Sequence, residues 1–225
     1  MPPPSAPISP APISPPATPP RRLVVGVTGA SGAVYAHRLI RLLVAAGIET
    51  HLVVSPLGQR LLHDELGLDP RNAAALAGSA AAPPNLVLHH SKNVGASIAS
   101  GSFRHDGMAV CPCSSNTLGA IATGGAGNLL HRAAHVTLKE RRPLVLVHRE
   151  SPLSLIDLRN MQTVTEAGAV VAPANPGFYH RPQTLNAVVD FVVGRTLDLL
   201  HVPHDLDIRW SGRVPPDPAA ERAGG

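Results

Sequence analysis

One segment near the amino end leaves little freedom about the fold. Leu23-Val24-Val25-Gly26-Val27 is a short apolar run, and Thr28-Gly29-Ala30-Ser31-Gly32 is a glycine-rich turn. Ala33 to Ala46 then places Val34, Leu39, Leu42 and Leu43 at helical spacing before Gly47 stops the helix. Glu49 to Val54 returns as a strand. Ser55-Pro56 opens the next helix with an N-cap and a proline at the first helical position. Strand, turn, helix and strand make a complete βαβ unit, the connection that parallel strands require.

The alternation continues down the chain. Strands are expected at Leu86–Leu88, Gly107–Cys111, Leu144–Val147 and Ala169–Ala172. Helices are expected from Ser114 or Ser115 to Ala122, then over Leu129–Glu140, Ser154–Ala167 and Thr184–Leu200. Ser97 to Ser102 reads as a loop, and the alanine-rich stretch from Asp69 to Pro84 gives no clear pattern. The class is α/β: a doubly wound parallel sheet, a Rossmann-like or flavodoxin-like three-layer sandwich. Composition agrees, because 44% of residues are hydrophobic but only 3% aromatic. Such a core is built from Val, Leu, Ile and Ala, as sheets covered on both faces are.

The first twenty residues hold ten of the 24 prolines. With neither a basic nor an apolar block they read as a disordered, polyproline-like tail rather than a secretory signal. The expected organisation is a tail at 1–20, one folded domain at 21–212 and a flexible end at 213–225. Net charge is +4. This mild excess suits small anionic ligands and lacks the basic-aromatic interleaving of nucleic-acid binders. No apolar run reaches membrane-spanning length. Cys111 and Cys113 are spaced Cys-x-Cys, which fits neither zinc nor redox motifs. No metal site is expected, and reduced thiols point to the cytoplasm.

Chemistry concentrates at three turns. Gly26-x-x-Gly29-x-x-Gly32 is not the dinucleotide fingerprint, yet it supplies a tight turn ahead of a helix start that receives negative charge. It serves equally as a plain strand-to-helix connection. Cys111-Pro112-Cys113-Ser114-Ser115-Asn116-Thr117 offers hydroxyls, an amide and free N–H groups at another helix start. In an open α/β sheet both turns fall at the carboxyl edge, where ligands bind. The run Lys139 to Glu150 feeds a basic helix end into a buried strand and delivers Arg149-Glu150 at that edge. An arginine there suits a phosphate or a flavin carbonyl, and a glutamate suits acid–base work.

Taken together these segments resemble the UbiX-type flavin prenyltransferases. The matching pieces are Gly29-Ala30-Ser31-Gly32-Ala33, Ser55, Glu65, Ser100-Gly101-Ser102, Cys111 to Ser114 with Thr117, and Arg132-Ala133-Ala134. They continue with Lys139 to Glu150, Pro176-Gly177-Phe178-Tyr179-His180, Arg195 and Trp210. The resemblance implies metal-free transfer of a dimethylallyl group from dimethylallyl monophosphate to N5 and then C6 of reduced FMN. It also implies a product consumed by a UbiD-type decarboxylase, a dodecamer with sites between subunits, and no nucleic-acid or membrane partner. By residue, it implies that Gly29, Ala30, Ser31, Ser55, Ser114, Ser115, Asn116, Thr117 and Arg149 hold FMN. Arg132, Lys139, Tyr179 and Arg195 would hold the prenyl phosphate. Ser31, Ser100 and Ser102 would line the reacting centre, Glu65 and Glu150 would assist proton movement and phosphate departure, and Trp210 would shield an allyl cation. His148 stands where the family varies, and Pro56 replaces a lysine common in it. Two other readings stand beside this one: a non-catalytic FMN carrier, and an FMN-dependent decarboxylase of the phosphopantothenoylcysteine type.

A tail so rich in proline has little apolar payload to offset the entropy of ordering. Deleting residues 1–20 is therefore expected to leave the melting temperature within error, as read by differential scanning fluorimetry; a drop of several degrees would show that the tail docks on the domain.

Overall fold

Strands buried on both faces must be apolar at nearly every position, and this sheet shows it. In the computed structural model, which describes residues 21–210 and 212, β1 (Arg22–Val27) and β2 (Glu49–Val54) are buried at all but their first residue. β4 (Met108–Cys113) and β5 (Leu144–His148) are buried throughout. The shorter β3 (Leu86–His89) and β6 (Val170–Pro173) are more exposed, as edge strands are. All six pair in parallel, in the order β3-β2-β1-β4-β5-β6. This order reverses direction between β1 and β4, the switch point beside which open α/β sheets bind ligands.

Helices cover both faces. α1 (Ala33–Ala45) and α7 (Leu185–Leu199) pack Leu39, Leu43, Val193 and Leu197 on one side, joined by Leu62 of α2 (Pro56–Leu66) and Leu76 of α3 (Ala73–Ala77). α4 (Ser115–Ala122), α5 (Leu129–Lys139) and α6 (Leu155–Glu166) pack Leu118, Leu130 and Val164 against Val110 and Leu146 on the other. The largest fully buried side chains are aliphatic, so the core is as poor in aromatics as the composition. Arg21 gives its guanidinium to the carbonyls of Leu200 and His201, closing the carboxyl end of α7 from the first described residue. No described helix is long and apolar enough to cross a membrane. Residues 1–20 and 213–225, read from the sequence as tails, lie outside the described residues.

Most expected elements fall within a residue or two of their observed ends. Three differ. The 69–84 stretch contains α3, opened by the Asn72 side chain on Ala75 N–H and closed by Gly78 in the left-handed region. A run of alanines has no apolar periodicity to reveal such a helix. The loop at 97–102 contains a 3₁₀ turn, Ser97–Ala99. β4 runs past Cys111 to Cys113, with a register shift between Val110 and Cys113. That irregularity lets Pro112, which has no N–H to give, sit in a central strand.

α2 lies close over the end of β1. A Cβ on Gly58 would stand 2.6 Å from the Val27 carbonyl oxygen, a backbone atom with no room to retreat. Gly58→Ala is expected to cost about 1–3 kcal/mol by overpacking, measured as a lower urea midpoint with unchanged slope.

Candidate active site

The two turns at the switch point are tied by one buried hydroxyl. Thr28 Oγ1 donates to the Pro112 carbonyl at 2.7 Å and accepts the Ser114 N–H at 2.9 Å. Gly32 adopts φ 116°, a conformation that favours glycine, and a Cβ there would meet the Tyr35 ring at 2.9 Å. Beyond it, the Glu65 carboxylate accepts the N–H groups of Gly32 at 3.0 Å and Ala33 at 2.8 Å. A helix start leaves such N–H groups unpaired and carries partial positive charge. The negative charge that this turn attracts therefore comes from the protein's own Glu65, at the far end of α2. Gly29 packs on Leu57, Ala30 is buried, and Ser31 is exposed at the tip.

Ser55 and Ser114 cap α2 and α4, accepting from Gly58 N–H at 3.0 Å and Thr117 N–H at 3.4 Å. The Ser55 N–H reaches the Val27 carbonyl at 2.9 Å, so this cap stands beside the first turn. Thr117 is buried under Ser114, while Asn116 is exposed. At the end of β5, Arg149 Nε donates to the Ser31 carbonyl at 3.1 Å. Among the described residues its two terminal nitrogens make no hydrogen bond, leaving a guanidinium edge available at the rim. Ser31, Ser55, Ser114, Thr117 and Arg149 thus share one edge of the sheet. Serine hydroxyls, helix-start N–H groups and an available guanidinium form a donor set that fits a flavin phosphate and carbonyls.

Glu150 turns the other way from Arg149, as successive residues of an extended chain do. Its Oε2 accepts from Ser115 Oγ at 3.4 Å, and Ser115 Oγ also lies 3.1 Å from Nε2 of the buried His148. Burial lowers the His148 pKa; Asp157 and Glu150 oppose this, and Arg149 adds to it. Asp157 closes a capping box with Ser154 at the start of α6. The Ser154 hydroxyl, followed by that of Ser115, holds its carboxyl down at about 2. Thr28, His148 and Asp157 were not singled out as site residues from the sequence. Only His148 left a signal there, as a residue beside Arg149 at a position where the family varies.

Other expected site residues lie elsewhere in the protomer. Lys139 ends α5 and pairs with Glu140 at 3.7 Å. Ser100 and Ser102 bond each other at 2.8 Å, and Arg142 donates to the Gly101 and Phe103 carbonyls between α5 and β5. All three lie at the amino edge of the sheet, where Pro143 O meets the first residue of β4. Arg132 is exposed in the first turn of α5, toward the carboxyl edge. Beyond β6, the Tyr179 hydroxyl donates to the Ile208 carbonyl at 3.0 Å, and its ring meets Trp210 edge-on at 5.3 Å. Arg195 pairs with Asp198 at 2.9 Å and lines a cavity of about 340 Å³ between β6 and α7, with Val147, Asn175 and Phe191. Burial pushes the Cys111 thiol up to about 12 and the Cys113 thiol higher still, and both are free. Among the described residues no group of three or more His, Cys, Asp or Glu could hold a metal ion.

The Flavoprotein family profile matches residues 13–197, so fold and sequence agree on a flavoprotein. Flavin prenyltransferase UbiX of Escherichia coli strain K12 is 46% identical over 195 residues, covering 85% of this chain and 99% of that protein. AnUbiX, solved in complex with FMN and dimethylallyl pyrophosphate, superposes with a TM-score of 0.78 at 43% identity, covering 86% of this chain and 99% of its own. A dodecameric FMN-dependent UbiX-like decarboxylase from Escherichia coli O157:H7 gives 0.77 at 42%, covering 85% and 100%. The chain belongs to the UbiX flavin prenyltransferase family. A PPC decarboxylase solved with pantothenoylaminoethenethiol gives 0.52 at 20% identity, covering 73% of this chain and 86% of its own, a likeness of fold alone.

Replacing Thr28 by Val keeps the volume but strands the Ser114 N–H, while the Pro112 carbonyl keeps the backbone N–H of residue 28 at 3.3 Å. Leaving buried polar groups unpaired costs about 1–3 kcal/mol. Thr28→Val is expected to lose that much in urea denaturation and to weaken FMN binding as the two turns part. Unchanged stability would mean that the hydroxyl bridge carries no weight.

Proposed function

We propose that this protein transfers a dimethylallyl group from dimethylallyl phosphate to reduced FMN, giving the prenylated flavin that a UbiD-type decarboxylase consumes. The observation that supports this most is the carboxyl edge itself. There an arginine with available terminal nitrogens, a held carboxylate and serine-capped helix starts converge at the switch point, in a chain close to the UbiX enzymes. FMN, when bound, would supply nucleophilic N5 and C6 atoms, each to a different carbon of the dimethylallyl group. The protein holds and orients the reactants, which is most of the task when reacting atoms must be kept in contact.

In this reading Gly29, Ala30, Ser31, Ser55, Ser114 to Thr117 and Arg149 hold the flavin. Glu65 and Glu150 are the carboxylates available for proton movement and phosphate departure. Breaking the allylic C–O bond leaves negative charge on phosphate and positive charge on carbon. Fixed cations at the phosphate stabilise that separation, and an aromatic face such as Trp210 shields the cation. Lys139, Arg132, Tyr179 and Arg195 supply the phosphate contacts, with Ser100 and Ser102 beside the reacting centre. Lys139 and both serines stand at the opposite edge from Arg149 within one protomer. The proposal therefore includes a homo-oligomer, a dodecamer like the Escherichia coli relative, in which one protomer's amino edge closes another's carboxyl edge. Exposed Leu155, Ile156, Phe178, Leu185 and Trp210 are apolar surface fit for such contacts. Dimethylallyl monophosphate is the donor this reading takes, and the relative AnUbiX was solved with dimethylallyl pyrophosphate. A cytoplasmic location goes with two free thiols.

Single-turnover prenylation, read by mass spectrometry of the flavin with EDTA present, tests the assignment. Glu150→Gln and Lys139→Ala are each expected to slow product formation by on the order of 10²–10³ with FMN still bound. Wild-type turnover in both variants, or loss of FMN binding on chelation, would overturn it.

A further inference from the structure

We infer that His148, acting through the Ser115 hydroxyl, positions the Glu150 carboxylate. The inference deepens the proposed prenyl transfer and rests on that reading for its consequence in rate. Its structural content stands on His148 at the end of β5, Ser115 at the start of α4 and Glu150 two residues past His148.

Glu150 is exposed at the end of β5, and an exposed glutamate ordinarily samples several rotamers. Here both of its oxygens are occupied. Oε1 accepts from Ser151 N–H at 3.1 Å, and Oε2 accepts from Ser115 Oγ at 3.4 Å. A hydroxyl has one proton to give, and the Glu150 and Asp157 carboxylates both stand to take it from Ser115. With that proton on Glu150, the Ser115 oxygen accepts from His148, whose Nε2 at 3.1 Å must then carry the hydrogen. The imidazole is 3% exposed, held at the end of a central strand. Its partner in register on β4 is Cys113, whose thiol is kept neutral by burial. Asp157 approaches from α6, Arg149 and Glu150 from its own strand end, and Ser115 from α4. The direction of the His148 shift favours the uncharged ring. An uncharged donor orients a carboxylate without forming an ion pair with it, and so leaves its basicity to be used.

The test compares His148→Ala, His148→Gln, Ser115→Ala and the Ser115→Ala/His148→Ala double variant in the full chain. Three readouts are taken: single-turnover prenylation with reduced FMN and dimethylallyl monophosphate, FMN affinity by fluorescence titration, and the crystal structure of His148→Ala. Losing a hydrogen bond to a charged group costs roughly tenfold or more. At saturating FMN, His148→Ala and Ser115→Ala should each slow prenylation by about that factor, and in His148→Ala, whose side chain holds no flavin, FMN affinity should stay within about twofold of wild type. The double variant should be no slower than either single one, since the two act in series. Glutamine, which keeps an N–H donor near Nε2, should restore most of what alanine loses. The crystal structure should show the Glu150 carboxylate displaced. Multiplying losses, no rescue by glutamine, or a His148→Ala defect that appears only in FMN affinity would overturn the inference. If wild type itself fails to prenylate FMN, the functional reading falls. The Glu150 position in His148→Ala then decides the positioning role separately, and an unmoved carboxylate refutes it.

Discussion

A single threonine hydroxyl holds the two halves of this sheet in functional register. β1 and β4 are neighbours in the sheet but far apart in sequence, and the chain leaves them in opposite directions to build opposite sides. Nothing local dictates how their following turns meet. Thr28 settles this by donating across the switch point to Pro112 and accepting from Ser114. The hydroxyl is buried, so the Ser114 N–H depends on it for a partner, while the Pro112 carbonyl also accepts the Thr28 N–H at 3.3 Å. Helix α4 begins where this contact puts it, and with it begin Ser114, Ser115 and the hydrogen bonds to β5. Arg149 completes the arrangement from the next strand by reaching back to the Ser31 carbonyl.

Two consecutive residues divide the labour at that edge. Arg149 points toward the β1 turn and Glu150 toward α4. A cation and an anion side by side in sequence would otherwise pair with each other, yet here each is drawn to its own hydrogen-bonding partner. The pleat of the strand end separates them without any further device.

Much of this was legible in the chain. The βαβ start, the Ser55-Pro56 and Ser114 caps and the buried strands are local patterns, and the structure has them nearly residue for residue. What stayed hidden is long-range. Glu65 reaches Gly32 from the last turn of α2, a contact with no sequence signature of its own. Lys139 and Glu150 sit in one short run, but the five-residue strand β5 between them spans about 17 Å. Adjacency in sequence therefore puts them at opposite edges of the sheet. The His148–Ser115 contact joins β5 to α4 across 33 positions, and only a folded chain brings them together. The Asn72 cap and Gly78 stop of α3 were present in the sequence, but five intervening residues, four of them alanine, gave no face to read.

Cys111 and Cys113 lie in the strand that ends at the site, one of them beside His148 in register. Reduced flavins that meet oxygen yield peroxide, and peroxide attacks thiolates far faster than thiols. With Cys111 at about 12 and Cys113 higher, neither presents a thiolate at physiological pH, and burial shuts out the oxidant as well. The central strand is thereby guarded against the side reaction of the chemistry it supports, so peroxide should oxidise the half-buried Met161 thioether before it reaches the scaffold thiols.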